Sequence, residues 1–213
     1  MNNSLFTRWL NPFYTELDNA IGCAESLLDI GCGTATPLAK LSTRPRLLVG
    51  VDGFQPSIDI SRANHLHDDY VKCDLLDIDT HFTPDSFDVT VALDVIEHFS
   101  KDDGLRLLQK MEAIAKQRVL IFTPNGFLPQ NEHSGNILQR HLSGWSAREM
   151  EDMGYRVIGI NGWKPLLGEF ALPKLRPVKL WTLISRFSQP LVRNHPQHAF
   201  ALLCVKELPG RKT

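Results

Sequence analysis

Residues 27–36 read Leu27-Leu28-Asp29-Ile30-Gly31-Cys32-Gly33-Thr34-Ala35-Thr36, and this stretch decides the fold. An apolar run ends in an acid and gives way to two glycines spaced by one residue. Thr36-Pro37 then opens a helical segment, with threonine as N-cap and proline at the first helical position. The pattern is strand, tight turn, helix. Gly31 and Gly33 let the backbone approach a ligand more closely than any side chain would allow. Beyond the turn, Leu47-Leu48-Val49-Gly50-Val51-Asp52 is a second apolar strand ending in an acid. An acid there can accept hydrogen bonds from both hydroxyls of a ribose. The chain thus opens with a nucleoside-binding β-α-β unit.

Working outward, Asn11-Pro12 begins a helix to about Ile21, with Leu5, Phe6, Trp9, Phe13, Leu17 and Ile21 on the apolar side of this region. Strands are expected at 26–30, 47–51, 70–73, 86–93, 118–122, 155–160 and 199–205. Helices are expected at 36–43, from Gln55 to about His65, after Ser100, after the Ser146-x-x-Glu149 capping box, and at 178–188. Near-continuous apolar character in Phe87-Asp88-Val89-Thr90-Val91-Ala92-Leu93 fits a strand inside a parallel sheet. Strands alternating with helices imply right-handed crossovers. Residues 162–198 carry five prolines and are too long for a plain connection, so they read as an insertion.

The length of 213 residues suits one domain, 1–213, with a helical cap at 1–24 and the 162–198 insertion between strands six and seven. Apolar content of 43% and charge of 22% are ordinary for a soluble protein. No transmembrane segment or leader is legible, and Cys23, Cys32, Cys73 and Cys204 form no disulfide framework, so a cytoplasmic setting is expected. Charge is uneven: residues 1–99 sum to −9 and residues 100–213 to +8. Either acids cluster at strand ends and bases solvate the second half, or the second half faces something anionic.

Asp29-x-Gly31-x-Gly33, Asp52, Cys73-Asp74-Leu75, the run Phe87 to His98 and the Phe122-Thr123-Pro124-Asn125 turn follow one another in order. Together they resemble the class I S-adenosylmethionine-dependent methyltransferases, over roughly residues 25–160 plus the final strand. The resemblance implies an α/β, Rossmann-like, seven-stranded, mostly parallel sheet with an antiparallel last strand and helices on both faces. It implies S-adenosyl-L-methionine as cofactor, with the first turn against the methionine part, Asp52 on the ribose and Asp74 on the adenine amino group. The expected cofactor set is Asp29, Gly31, Gly33, Asp52, Gly53, Phe54, Asp74, Leu75, Leu93 and Asp94. A nicotinamide or flavin protein is the competing reading. Its G-x-G-x-x-G/A fingerprint finds Thr36 at the sixth position here. A non-catalytic binding module on the same fold is the other.

A sulfonium methyl is already activated, so the enzyme must hold the acceptor in line and exclude water. A hydroxyl acceptor must also lose a proton, which calls for a His or carboxylate nearby. Glu97, His98 and His141 are the catalytic candidates, at the carboxyl ends of strands four and five, with Asn125 and His133 in the same region. Glu97-His98 equally serves as a structural part of the segment after strand four. His133 reads as a solvated loop residue, and Trp145 as either a pocket wall or a core anchor. Asp94-x-x-Glu97-His98 with His141 also resembles metal-dependent 2′-O-methyltransferases of small-RNA 3′ ends, with Asp for their first Glu, and an E-x-x-E-H pattern of ubiquinone-pathway O-methyltransferases. Carboxylate plus imidazole can bind a divalent ion, but the expected site names no metal ligand.

The acceptor is expected to be a small molecule, anionic or lipid-linked, rather than a nucleic acid. The 162–198 segment holds six basic residues against Glu169, and its helical part has a broad apolar face. A membrane surface, the sheet itself, or a homodimer through this insertion would cover that face.

Overall fold

In the computed structural model, residues 12–130, 137–166 and 177–208 are described. Expectations for Leu5, Phe6, Trp9, Asn11 and His133, and for Glu169, Lys174 and Arg176 of the insertion, lie outside them.

Helix α1 (Pro12–Ile21) precedes β1 (Ser26–Ile30), β2 (Leu47–Asp52), α2 (Gln55–Ala63), β3 (Asp69–Lys72) and β4 (Phe87–Leu93). Then come α3 (Lys101–Ile114), β5 (Ala115–Pro124), α4 (Ala147–Asp152), β6 (Arg156–Trp163), α5 (Val178–Arg193) and β7 (Ala199–Glu207). The seven strands form one sheet in the order β3-β2-β1-β4-β5-β7-β6. The first five are parallel, and β7 runs antiparallel between β5 and β6. The strand order reverses at β1, between β2 and β4, which is where an open α/β sheet places its ligand cleft.

Alternation along the strands divides the core in two. Leu28, Ile30, Ala92 and Ile121 face α3 and α4, packing with Leu107, Met111 and Met150. Leu27, Val89, Val91 and Leu120 face α1, packing with Leu17 and Ile21. The Phe13 and Phe122 rings, with centroids 4.5 Å apart, dock α1 on β5. Arg118 on β5 donates to the carbonyls of Ala20 and Ile21 and so closes the end of α1.

Several caps form as expected. Ser100 Oγ accepts from Asp103 N, and Ser146 and Glu149 make both bonds of a capping box. Two helices depart from expectation. The helix at 36–43 is a single 3-10 turn, Pro37–Lys40, capped by Thr36. Only Leu38 of that turn is buried, and Arg44 precedes Pro45, which disfavours helix there. The helix at 178–188 instead continues to Arg193 through Pro190. Its inner side packs on β6, where Gln189 bonds Gly159 O and Gly162 N. Gly159 is required at that contact: a Cβ there would lie 2.0 Å from Val192 O.

Candidate functional site

Two cavities meet at the carboxyl ends of the strands. The first, about 370 Å³, is lined by Gly31, Gly33, Asp52, Gly53, Asp74, Leu75, Asp94, Leu138 and Gln139, among others. Gly31 sits at φ 72°, and a Cβ on it would come within 2.6 Å of Val95 Cγ2. The turn is therefore closed to side chains both by conformation and by space. Its backbone hangs from Val51 O, which accepts from Gly31 N and Cys32 N.

Asp52 ties the turn to β2. Its Oδ2 accepts from Gly33 N at 2.9 Å and its Oδ1 from Phe54 N at 2.8 Å. Burial pushes this carboxyl above its ordinary value, and the two amides pull back against that. Each oxygen keeps a further lone pair, enough for ribose hydroxyls. Asp74 Oδ1 caps the following 3-10 turn through Leu76 N, with its carboxyl at the other end of the same cleft.

Three expected cofactor residues do not line this cavity. Asp29 is buried and its Oδ2 bonds His67 Nε2 at 2.8 Å, on the inner side of the turn. Phe54 contributes its backbone to Asp52, and Leu93 packs partly buried against the α1-side core. Leu76, Val95, Phe99, Leu138 and Gln139 also line the cavity and were not among the expected residues. The last two come from the segment between β5 and α4, whose sequence carries no local signal for the cleft.

The second cavity, about 400 Å³, shares Asp94, His98 and Gln139 with the first. Its other walls are Glu97, Phe122, Pro124, Leu128, Gln130, His141, Asn161, Phe200 and Ala201. Asp94 marks the junction, at φ 55°, a left-handed conformation that Asp tolerates better than most residues. Asn161, at φ 64°, enters this wall because the β6–β7 register shifts between Ile160 and Trp163.

Glu97, His98 and His141 converge: one ligand atom from each lies within 4.8 Å of the others. His98 Nδ1 contacts Arg140 O at 3.2 Å, and His141 Nδ1 contacts Leu128 O at 2.6 Å. Carbonyls only accept, so each Nδ1 carries the proton and each Nε2 keeps its lone pair. Burial pushes both imidazoles below their usual value, which favours the neutral base. Glu97 is fully buried; Oε2 accepts from Thr123 Oγ1 at 3.0 Å, and Oε1 has no hydrogen-bond donor.

Burial first, then the charge of Asp94, drives the Glu97 carboxyl well up. Asp94 itself is pushed up to about 7 by enclosure among protein atoms. It also has surface open to the cleft, and water there counters part of that shift. Two adjacent carboxylates cannot both ionise freely, so the pair favours holding one proton between them.

The support beneath this wall settles two open readings. Leu142 N and Ser143 N bond the Glu97 carbonyl, joining the β5–α4 segment to the 3-10 turn Ile96–His98. Trp145 is a core anchor: it is 1% exposed, and its Nε1 bonds Ile96 O. Asn125 is structural too, because its Nδ2 serves the carbonyls of Pro196, Gln197 and Ala199 and holds the turn into β7. Gly144 is required where that segment crosses: a Cβ would lie 2.2 Å from Phe127 N.

Residues 28–123 match the model of a methyltransferase domain. The chain is an S-adenosylmethionine-dependent methyltransferase. S-adenosylmethionine is its cofactor. No curated protein sequence matches the chain. Solved structures share its fold at low identity. A chain of the complex between the Haloferax volcanii Trm112 methyltransferase activator and a methyltransferase aligns at TM-score 0.59 and 18% identity, covering 99% of this chain and 94% of that one. The methyltransferase domain of bacterial CtHen1-C aligns at 0.59 and 17%, covering 97% and 100%. A SAM-dependent methyltransferase from Archaeoglobus fulgidus aligns at 0.58 and 16%, covering 98% and 100%.

Proposed function

We propose that this methyltransferase acts on a hydroxyl oxygen of a small-molecule or lipid-linked acceptor held in the second cavity. The observation that carries the reading is the wall of Glu97, His98 and His141, where two neutral Nε2 lone pairs and a buried, donor-less carboxylate oxygen converge beside the cofactor cavity. A sulfonium supplies the methyl group in activated form. Asp52 holds the ribose, Asp74 the adenine end, and Gly31, Gly33 and Gly53 let the backbone close on the ligand. Phe122, Leu128 and Phe200 surround the acceptor and exclude water. His98 or His141 accepts the hydroxyl proton at Nε2, and Glu97 stabilises the imidazolium that forms. In this reading residues 1–213 are one domain, with the 1–24 cap and the 162–198 insertion controlling acceptor access.

The test is a screen of hydroxylated lipids, quinols, sugars and RNA ends, reading formation of S-adenosylhomocysteine. Turnover on a hydroxyl acceptor, absent when that oxygen is already methylated, is expected. Methylation of the matching amine with none of the alcohol would overturn the reading.

The same three side chains support a second reading, in which they hold a divalent cation. Both Nε2 atoms are lone-pair donors, their Nδ1–H groups are oriented by carbonyls as metal-ligating histidines usually are, and Glu97 Oε1 lacks a partner. The donor set of two nitrogens and a carboxylate oxygen fits. Such an ion supplies Lewis-acid activation of a hydroxyl. Asp94-x-x-Glu97-His98 with His141 links this version to ubiquinone-pathway-like enzymes and to RNA 2′-O-methylation, and bacterial CtHen1-C shares the fold. The charged side chains that line the second cavity are the acids Asp94 and Glu97, which oppose a phosphate backbone, so the small or lipid-linked acceptor is preferred. Manganese titrated calorimetrically into the protein should bind with one-site stoichiometry and release heat that Glu97→Gln removes. Full activity under chelator, with no manganese heat, would discard this version.

A further inference from the structure

Helix α5 has two apolar sides, and the fold uses only one. Its inner side rests on β6 through Gln189 and Val192. On the opposite side Ile184, Phe187 and Leu191, spaced three and four residues apart, form a stripe along the helix. Phe187 is 74% exposed and Leu191 71%. Trp163, also exposed, extends the stripe from β6, where its N–H bonds Ser188 Oγ on the helix. Burying such residues in water-facing positions gains nothing for the fold, so their energy is available to something else.

Charge decides what that is. Residues 170–206 contain no Asp or Glu, while Lys174, Arg176, Lys179, Arg186, Arg193 and Lys206 fall within them. Arg193 is paired with Glu16 of α1 and Lys206 with Glu112 of α3, which neutralises two of the six locally. A second copy of the chain would bring a like-charged segment against this one. Its contact would also rest on a single stripe, short of the roughly 800 Å² per partner that stable interfaces need. A basic segment with an aromatic-bearing apolar stripe fits an anionic bilayer: the ring and aliphatic groups enter the acyl boundary while Lys and Arg meet the headgroups. No helix among the described residues is long and apolar enough to cross a membrane, so the contact would lie in the plane of the surface.

We propose that the outer face of α5, together with Trp163, docks this methyltransferase on anionic membranes. The docking face is coupled to the second cavity. Gln189 fixes Gly159 and Gly162, which flank the irregular stretch of β6 that brings Asn161 into the cavity wall. A docked helix therefore brings that cavity to the bilayer. The inference concerns binding alone and holds for either version of the chemistry.

The full-length protein is sedimented with vesicles of phosphatidylcholine containing about a third phosphatidylglycerol, and with phosphatidylcholine alone. Expected is salt-sensitive binding to the first and none to the second, reduced about tenfold or more by the double variant Phe187→Ser/Leu191→Ser. Both side chains are solvent-facing, so the variant should keep its melting temperature and its S-adenosylmethionine affinity. Ile60→Ser, at an exposed apolar position on α2, should bind vesicles like the parent. No vesicle binding at low salt overturns the proposal. So does a dimer in sedimentation velocity that the double variant dissolves, because the stripe would then belong to a second copy.

Discussion

The two cavities touch at Asp94 and are built in opposite ways. The first uses short turns, each following directly on a strand: Gly31–Gly33 after β1, Asp52–Gly53 at β2, Asp74–Leu75 past β3. Its tools are mostly backbone, with amides drawn to Asp52 and glycines that clear the way. The second collects Glu97 and His98 after β4, His141 from before α4, Asn161 from β6 and Phe200 from β7. Its tools are side chains, two of them imidazoles oriented by carbonyls from a segment far along the chain. Local geometry builds the first cavity, and remote segments brought together build the second.

The sharpest break of this comparison is Glu97→Gln. The amide keeps the shape and can still accept from Thr123 Oγ1. It cannot ionise when an imidazolium forms beside it. Turnover should fall by about a hundredfold or more, in the range of lost acid–base assistance. Cofactor affinity should hold, because Glu97 lines only the second cavity. Calorimetry with S-adenosylmethionine beside steady-state kinetics separates the two effects. A large loss of affinity would merge the cavities into one functional unit.

The converse is Asp52→Ala. A hydrogen bond to a charged group contributes about 1.5–3 kcal/mol, so loss of one ribose contact should weaken cofactor binding roughly 10- to 150-fold. The Gly33 and Phe54 amides also lose their acceptor, and the turn should loosen. Asp52→Asn, which keeps one carbonyl oxygen, should fall between. If both variants bind S-adenosylmethionine as the parent does, Asp52 serves the turn and not the ligand.

This contrast also explains what was legible in the sequence. Gly31, Gly33, Asp52, Gly53, Asp74, Leu75 and Asp94 all line the first cavity, and their signal is local, an acid or glycine at a strand's end. Asp29 carries the same local signal, but it bonds His67, whose place beyond α2 the motif does not mark. Glu97, His98 and His141 were each singled out by type and place, while their convergence depends on Trp145 seating under Ile96 and on Gly144 passing Phe127. Leu138, Gln139 and Asn161 carried no signal. The mostly parallel sheet followed from alternation, whereas the 36–43 helix shrank to one turn because Pro45 and a single buried leucine could not sustain it.

Asn161→Gly tests the remote side with a smaller effect. Glycine tolerates φ 64° and removes only the amide side chain. One neutral hydrogen bond contributes about 0.5–1.5 kcal/mol, so the acceptor KM should rise roughly two- to tenfold with kcat retained. An unchanged KM would take Asn161 out of acceptor recognition and leave it as part of the β6 irregularity.

The smallest effect is on stability, and it probes the junction itself. Asp94 is held at about 7 in the folded protein against an ordinary 3.8. Between those values the folded state binds more protons than the unfolded state, so this group's contribution is most favourable at low pH and is lost as pH rises toward 7. Glu97 is raised too and acts in the same direction. His98 and His141 are lowered and act oppositely: their folded forms resist protonation, so stability is lost as pH falls below the ordinary imidazole value. The parent's melting profile mixes these signs, and the difference between the parent and Asp94→Asn isolates one of them. Asn carries no charge at any pH, so its advantage over the parent should grow from about pH 5 to about pH 8. Cleft water limits the size to a few degrees, near the lower end for a chain in which about 2–4 °C corresponds to 1 kcal/mol. Parallel profiles would mean that Asp94 is ordinarily solvated and shares no proton with Glu97. The two cavities would then meet at a surface residue rather than at a coupled pair.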